Sequence, residues 1–232
     1  MEVLQCLHGN TTTKQTRIIP LLDVVDEKLM VLPLRMPLLV FNPSGDDAGL
    51  LAVQFLEGVA YLQSSSVAHL DLKPDNIMVQ RDPESRKVDL AIIDFKISVF
   101  ADAEPTISGS SGTPGWCAPE VSARKSYNPL LVDRWSCGRV LTFFTERMKP
   151  SPLREKTRSL SQRLMNPDPS LRPSISNWYP QEMGGTLNPL IRPIASGSGQ
   201  QLKRKLGVDA KEVKRKRQCV QPGSCLVSKP SV

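Results

Sequence analysis

The sequence predicts an α+β fold, and three patterns predict it. Short β-prone apolar runs occupy residues 18–41 and 87–95, stretches with apolar residues at helical spacing occupy 50–63, 133–148 and 153–165, and segments rich in Gly, Pro and Ser divide them.

After the polar run TTTKQTR, the strings IIPLLDVV and KLMVLPLRMPLLVF flank an acidic turn at 23–27 and read as a hairpin whose prolines favour edge positions. NPSGDDAG then marks a loop or helix entry. The following LLAVQFLEGVAYLQ carries Leu51, Phe55, Leu56, Val59 and Leu62 on one face of a 3.6-residue period, so it reads as a buried amphipathic helix ended by Ser64 to Ser66. KVDLAIIDF reads as a short strand running up to Asp94. The small, polar composition of 96–113 reads as a mobile loop. DRWSCGRVLTFFTERM resumes a helix with Val140, Leu141 and Phe144 on its apolar side, and LREKTRSLSQRLM gives another. Trp135 and Phe144 are expected in the core. Beyond about Tyr179, glycine, proline, serine and charge dominate, which predicts disorder.

A chain of 232 residues can bury a sizeable core. Its formal charge of +7 is concentrated between Leu202 and Arg217, so the basic balance describes a tail rather than the folded body. The five cysteines form no C-x-x-C pair, and only two histidines are present, which argues against a zinc site and fits a reducing, intracellular compartment. The most apolar stretch is broken by Pro33, Arg35 and Pro37 and is too short to span a bilayer. The first ten residues lack the basic and apolar regions of a secretory signal. A soluble protein without membrane contact is expected.

The chemistry concentrates in VAHLDLKPDNIMV, Val67 to Val79, where a histidine, two aspartates, a lysine and an asparagine lie between apolar ends. Taken singly, Asp71 reads as a helix cap, Asn76 as a turn residue, Asp94 as a strand-end cap and His69 as a buried hydrogen-bonding residue. Cys117 and Cys137 read as small packing residues. Taken together with their surroundings they carry more. HLDLKPDN, IIDF, GTPGWCAPE, DRWSCG and DPSLRP occur in the order found in the carboxyl-terminal lobe of eukaryotic protein kinases, and between about Leu4 and Tyr179 the chain resembles that family.

The resemblance implies a protein-kinase-like α+β fold: a partial N-lobe and hinge over 1–41, a mainly helical C-lobe over 42–180 and a disordered basic tail over 181–232. It implies ATP-dependent phosphoryl transfer to a protein hydroxyl, a reaction that depends on positioning and charge neutralisation. Asp71 would accept or orient the hydroxyl proton. Lys73 would sit by the transferred group, and a lysine there resembles the serine/threonine-specific pattern. Asn76 and Asp94 would hold Mg2+, a hard cation that prefers oxygen donors, and Leu32 and Leu34 would meet the adenine of ATP at the hinge. The same resemblance pairs Glu120 with Arg172, makes Asp133 the buried cap of the loop backbone, and puts the Thr113 hydroxyl against Asp71 and Lys73.

The sequence departs from the family at three points. Leu70 stands where an arginine precedes the catalytic aspartate, so no guanidinium there can pair with a phosphorylated activation segment. Lys96 replaces the glycine after Asp-Phe, which disfavours positive φ and brings a cation toward the metal site. No G-x-G-x-x-G and no V-A-I-K string occurs, so the roof and phosphate clamp of the nucleotide site are missing from this sequence, by gene history or by an incomplete gene model. Two readings therefore stand: a protein kinase, and a pseudokinase acting as an interaction scaffold without catalysis.

KRKLGVDAKEVKRKR, Lys203 to Arg217, resembles a bipartite nuclear-import signal with an import receptor as partner, set against the plain alternative of a solvated charge run. Nucleic-acid binding ranks below both, because no aromatic residues are interleaved for base stacking. The protein is expected in the nucleus or the cytoplasm. Residues 197–232 fused to a reporter are expected to concentrate it in nuclei, and uniform distribution would exclude import by this segment.

Overall fold

The computed structural model describes residues 2–8, 16–26, 29–102, 106–123 and 125–175. The expected disordered tail and its basic clusters lie outside the described residues. The chain has the expected α+β class. A short helix α1 (Glu2–His8) precedes the hairpin β1 (Asp23–Val25) and β2 (Leu29–Val31), which is followed by β3 (Met36–Pro37) and the four-residue α2 (Leu38–Phe41). The long α3 (Gly45–Ser64) leads to β4 (Val67–Ala68), β5 (Ile77–Arg81), β6 (Val88–Ile92) and β7 (Val99–Phe100). Then come α4 (Pro119–Ser122), α5 (Pro129–Arg147) and α6 (Pro152–Leu164).

The helical spacing of α3 has its predicted consequence. Leu51, Phe55, Leu56, Val59 and Leu62 are all buried, and Phe55 meets Phe144 of α5 with ring centroids 6.2 Å apart. Burying each such side chain contributes about 1.5–3 kcal/mol. One polar residue on the same face is used as a clamp. The Gln54 side-chain amide donates to the Val88 carbonyl at 2.9 Å, and its oxygen accepts from the Leu90 N–H at 2.8 Å, which fixes α3 to the backbone of β6.

Both later helices begin on Asn or Ser followed by Pro. Asn128 Oδ1 accepts from the backbone N–H groups of Leu130 and Leu131, and Ser151 Oγ accepts from that of Arg154, satisfying donors that the first helical turn leaves free. Cys137, Val140, Leu141 and Phe144 of α5 and Leu160 and Leu164 of α6 are buried. Cys137 is the packing residue expected; Cys117 is only partly buried, with its sulfur 3.6 Å from the Ser122 hydroxyl.

The structure departs from the sequence reading in its short segments. The hairpin forms from Asp23–Val25 and Leu29–Val31, in register Val24 opposite Met30. Ile18 and Ile19, expected in its first strand, are instead buried and join β6: the Ile92 N–H donates to the Arg17 carbonyl at 2.8 Å, and the Ile19 N–H to the Ile92 carbonyl at 3.0 Å. Arg17 pins this junction, pairing with Glu57 at 2.8 Å and Asp89 at 2.6 Å. Leu38–Phe41 turns helical, although its apolar run reads as strand. The 96–113 segment carries β7, antiparallel to β4, and a backbone bridge from Ile107 to Tyr127, order that its polar composition hides. Trp135 is only partly buried and packs on a second, smaller cluster around Leu70, Val121 and Val132.

The α5–α6 crossing is tight at Gly138, where a Cβ would lie 2.7 Å from Met165 Cγ and 2.8 Å from the Ser161 carbonyl oxygen. Gly138→Ala is expected to destabilise the fold by about 1–3 kcal/mol, read as a lowered midpoint in chemical denaturation; an unchanged midpoint would show that the crossing has slack.

Candidate functional site

The site grows from the stretch that joins β4 to β5. Pro74 opens a single 3-10 turn, Pro74–Asn76, directly after the extended Lys73. The turn lets the Asn76 side chain reach back: its Nδ2 donates to the Asp71 carbonyl at 2.9 Å and to Asp71 Oδ2 at 3.0 Å. Leu72, Ile77 and Val79 are buried beneath the loop, as expected, so its polar residues share one side.

Asp71 is the centre of the set. Its Oδ1 accepts from the Thr113 hydroxyl at 2.8 Å, and its Oδ2 pairs with Lys73 Nζ at 3.0 Å. Lys73 Nζ also donates to Thr113 Oγ1 at 2.6 Å, so carboxylate, ammonium and hydroxyl close a triangle. Partial burial pushes the Asp71 carboxyl up, but hydrogen bonds from Thr113, Lys73 and Asn76, with the charge of Lys73, outweigh burial and hold it below its ordinary value. Asp71 is therefore an ionised acceptor at neutral pH. Oδ2 has two donors and Oδ1 one, which leaves an acceptor position on Oδ1.

The loop hangs from α5. Asp133 is buried, and its carboxylate accepts from the His69 N–H at 2.6 Å and the Leu70 N–H at 2.8 Å. Burial pushes the Asp133 carboxyl up to about 7 against those two bonds. His69 is buried as well. Its Nε2 lies 2.8 Å from the Ile93 carbonyl, which can only accept, so Nε2 carries the proton and Nδ1 accepts from the Asp71 N–H at 3.2 Å. Burial lowers the His69 pKa, in keeping with this neutral ring. The ring stacks edge-on against Phe95 at 4.9 Å. His69 thus connects the loop to the segment carrying Asp94 as the buried hydrogen-bonding residue that the sequence reading expects.

Asp94 follows β6 at φ 64°, in the left-handed region, with its side chain exposed and without a hydrogen-bond partner among the described residues. The Ile93 N–H donates to the Asn76 carbonyl at 3.0 Å, which ties the residue before Asp94 to the turn carrying Asn76. The Asn76 amide nitrogen is committed to Asp71, and its Oδ1 has no donor among the described residues. A carboxylate and an amide oxygen without such partners are the donor chemistry of a hard cation, and the two residues fit magnesium on that ground. Among the described residues, no group of three or more His, Cys, Asp or Glu is arranged to hold a metal. Lys96 is exposed. Leu32 and Leu34 stand apart from the hydrogen-bonded set, on a stretch that belongs to no helix or strand, 37% and 97% exposed.

A second anchor fixes the segment after Thr113. Arg172 is buried and forks onto Glu120, at 2.6 Å and 2.9 Å to its two oxygens, as the resemblance implies. It also donates to the carbonyls of Leu131 and Asn166, and Trp135 lies 5.1 Å from its guanidinium. Sequence reasoning missed the Ser98 hydroxyl, which donates to the His69 carbonyl at 3.2 Å, and the Ser136 hydroxyl, which donates to the Trp116 carbonyl at 2.9 Å. No local signal marks a serine that serves a distant carbonyl.

The model of the protein kinase domain family matches residues 39–182, more than half of the chain. Among curated proteins, the chain is 32% identical over 145 residues to CBL-interacting serine/threonine-protein kinase 8 of Arabidopsis thaliana, covering 53% of this chain and 32% of that protein. It is 41% identical over 90 residues to the mitochondrial serine/threonine-protein kinase ppk24 of Schizosaccharomyces pombe, covering 38% and 19%. Against CBL-interacting protein kinase 22 of Oryza sativa the identity is 26% over 187 residues, covering 66% and 40%. The chain thus spans less than half the length of these relatives. No helix among the described residues is long and apolar enough to cross a membrane.

The raised Asp133 value has a pH consequence. The unfolded chain ionises at the ordinary 3.8, below the folded value of about 7, so this group's contribution to stability is full below the lower value and is lost as pH rises through the upper one. The stability advantage of wild type over Asp133→Asn is expected to be smaller at pH 8 than at pH 4.5 in denaturant titrations; a difference independent of pH would contradict it.

Proposed function

We propose that this chain, which belongs to the protein kinase domain family, serves ATP-dependent phosphoryl transfer to serine or threonine hydroxyls of a protein. The observation that carries this reading is the closed set of Asp71, Lys73, Asn76 and Thr113. Asp71, ionised and oriented through both oxygens, receives the hydrogen bond of an incoming hydroxyl at Oδ1 and takes up its proton. Lys73 holds positive charge beside the reacting group. Asn76 Oδ1 and the Asp94 carboxylate would hold Mg2+, which when bound neutralises charge on the phosphates. Leu32 and Leu34 offer an apolar wall to the adenine. The serine/threonine preference draws on Lys73 and on relatives whose names carry it.

The division into a partial N-lobe over 1–41, a C-lobe over 42–180 and a tail over 181–232 belongs to the same reading. So does a nuclear or cytoplasmic location, with an import receptor engaging Lys203 to Arg217.

A second reading, an interaction module without catalysis, is favoured by the bare apolar surface of the hairpin and the stretch after it. Leu29 is 65% exposed and Val40 68%. Lys96, exposed two residues after Asp94 where the family has glycine, favours it too.

Purified chain assayed for magnesium-dependent ATP binding and phosphotransfer separates the two. Kinase function predicts that Asp71→Asn lowers turnover by about a hundredfold or more with nucleotide binding kept, and that Asp94→Asn removes the magnesium dependence of binding. A folded chain that neither binds ATP nor transfers phosphate would overturn the kinase reading in favour of the module.

A further inference from the structure

We infer that the outer edge of β2 is a self-association surface, on which a second copy of this chain pairs strand to strand about a two-fold axis. β2 is Leu-Met-Val with every residue exposed, and among the described residues nothing pairs with its edge away from β1. Edge strands are ordinarily guarded by charge, proline or a bulge. Between Leu29 and Val31 there is no charge and no proline, and the register with β1 runs without a bulge. A two-stranded hairpin is marginal in water, and further strands relieve that. The backbone also shows which groups face the open edge. The Val31 carbonyl accepts from the Leu22 N–H at 2.8 Å, so Val31 turns toward β1. Backbone groups alternate along a strand, so Met30 turns its N–H and C=O outward.

Charge, register and area select a copy of the same chain as the occupant. Residues 29–34, LMVLPL, carry no charge, so a partner gains nothing from opposite charge there and must itself offer an uncharged apolar edge. β2 is such an edge. Pairing about an axis at Met30 sets Met30 opposite its own copy, exchanging two backbone hydrogen bonds, and sets Leu29 opposite Val31 on the other face of the strand. No like charges meet in that register. Leu22, Leu29, Met30, Val31, Leu32 and Leu34 are between 37% and 97% exposed. Together they offer an apolar area of the same order as the roughly 800 Å² that each partner of a stable complex buries. Apolar surface on that scale marks an association site. The outcome is one four-stranded sheet, β1–β2–β2–β1, continuous across the two copies.

The inference rests on neither reading of the site, and its test requires neither ATP nor turnover. Sedimentation velocity of the purified full chain over a range of concentrations reads it directly. Wild type is expected to pass from one to two chain masses as concentration rises and to stop there. Met30→Lys sets two ammonium groups face to face at the axis and is expected to raise the dissociation constant at least tenfold. Leu171→Lys, at a leucine 64% exposed on the turn Pro169–Leu171, leaves it unchanged. A wild-type chain that stays single, assembly that continues past two copies, an unweakened Met30→Lys or equal weakening by Leu171→Lys would overturn the inference. Met30→Cys oxidised with copper–phenanthroline gives a second measurement. Facing Cα atoms of a hydrogen-bonded antiparallel pair lie about 5.5 Å apart, within reach of a disulfide. Mass spectrometry is therefore expected to find a peptide linked through position 30 of both copies, and its absence overturns the strand pairing.

Discussion

A single buried carboxylate holds the arrangement together. Asp133, on α5, accepts the backbone N–H groups of two consecutive residues, His69 and Leu70, and so attaches the loop to the helical core immediately before Asp71. Two adjacent N–H groups seldom point the same way in a regular strand. Here the chain turns through a positive φ at Leu70 to present both. A buried, unpaired N–H costs about 1–3 kcal/mol, so the carboxylate stabilises a conformation that would otherwise expose or orphan two donors. Burial raises the carboxyl toward neutrality, which shows the opposite side of the same device: the charge that orients the loop is itself expensive to keep dry.

From that anchor the polar groups follow in a short chain of contacts. His69 reads the position of Ile93 and Phe95, Asn76 closes back on Asp71, and Thr113 brings the later segment to the same carboxylate. Each link is a neutral or charge-assisted hydrogen bond with a defined direction. Asp94 is the exception, exposed after the end of β6 and without a hydrogen-bond partner among the described residues. A site whose acceptors are part satisfied and part open has its oriented carboxylate and its candidate cation donors on separate residues, joined through the Ile93 to Asn76 backbone bond.

The β-rich end contrasts with this. The hairpin β1–β2 forms a two-stranded sheet by itself, and every residue of β2 is exposed. Two strands without a packed face are marginal in water, and apolar side chains such as Leu29, Leu34 and Val40 face solvent. The remainder of the small lobe is fastened differently. Arg17 and Arg35 both pair with Asp89, and with Glu57 they lock the 16–19 segment and the stretch before β3 onto β6 and α3. Charge at this seam adds to the burial of Ile18 and Ile19 in the same apolar core as Phe55 and Phe144.

The sequence by itself determined the long elements and the identity of the polar set. Leu51, Phe55, Leu56, Val59 and Leu62 announce α3 because burial of one helix face imposes a period readable without coordinates. Asp71, Lys73, Asn76 and Thr113 could be picked out because their types and order resemble a known family, and the Glu120–Arg172 fork came with them. Tertiary structure alone decided the short segments. Ile18 and Ile19 left the hairpin for β6, Leu38–Phe41 became helix, and β7 with the Ile107–Tyr127 bridge gave order to a loop of small polar residues. Such segments are too short for periodicity to outweigh alternatives, and their backbone partners lie tens of residues away. The same reason hid the place of Leu70, whose sequence neighbourhood does not reveal the cluster with Val121 and Val132 in which the fold buries it.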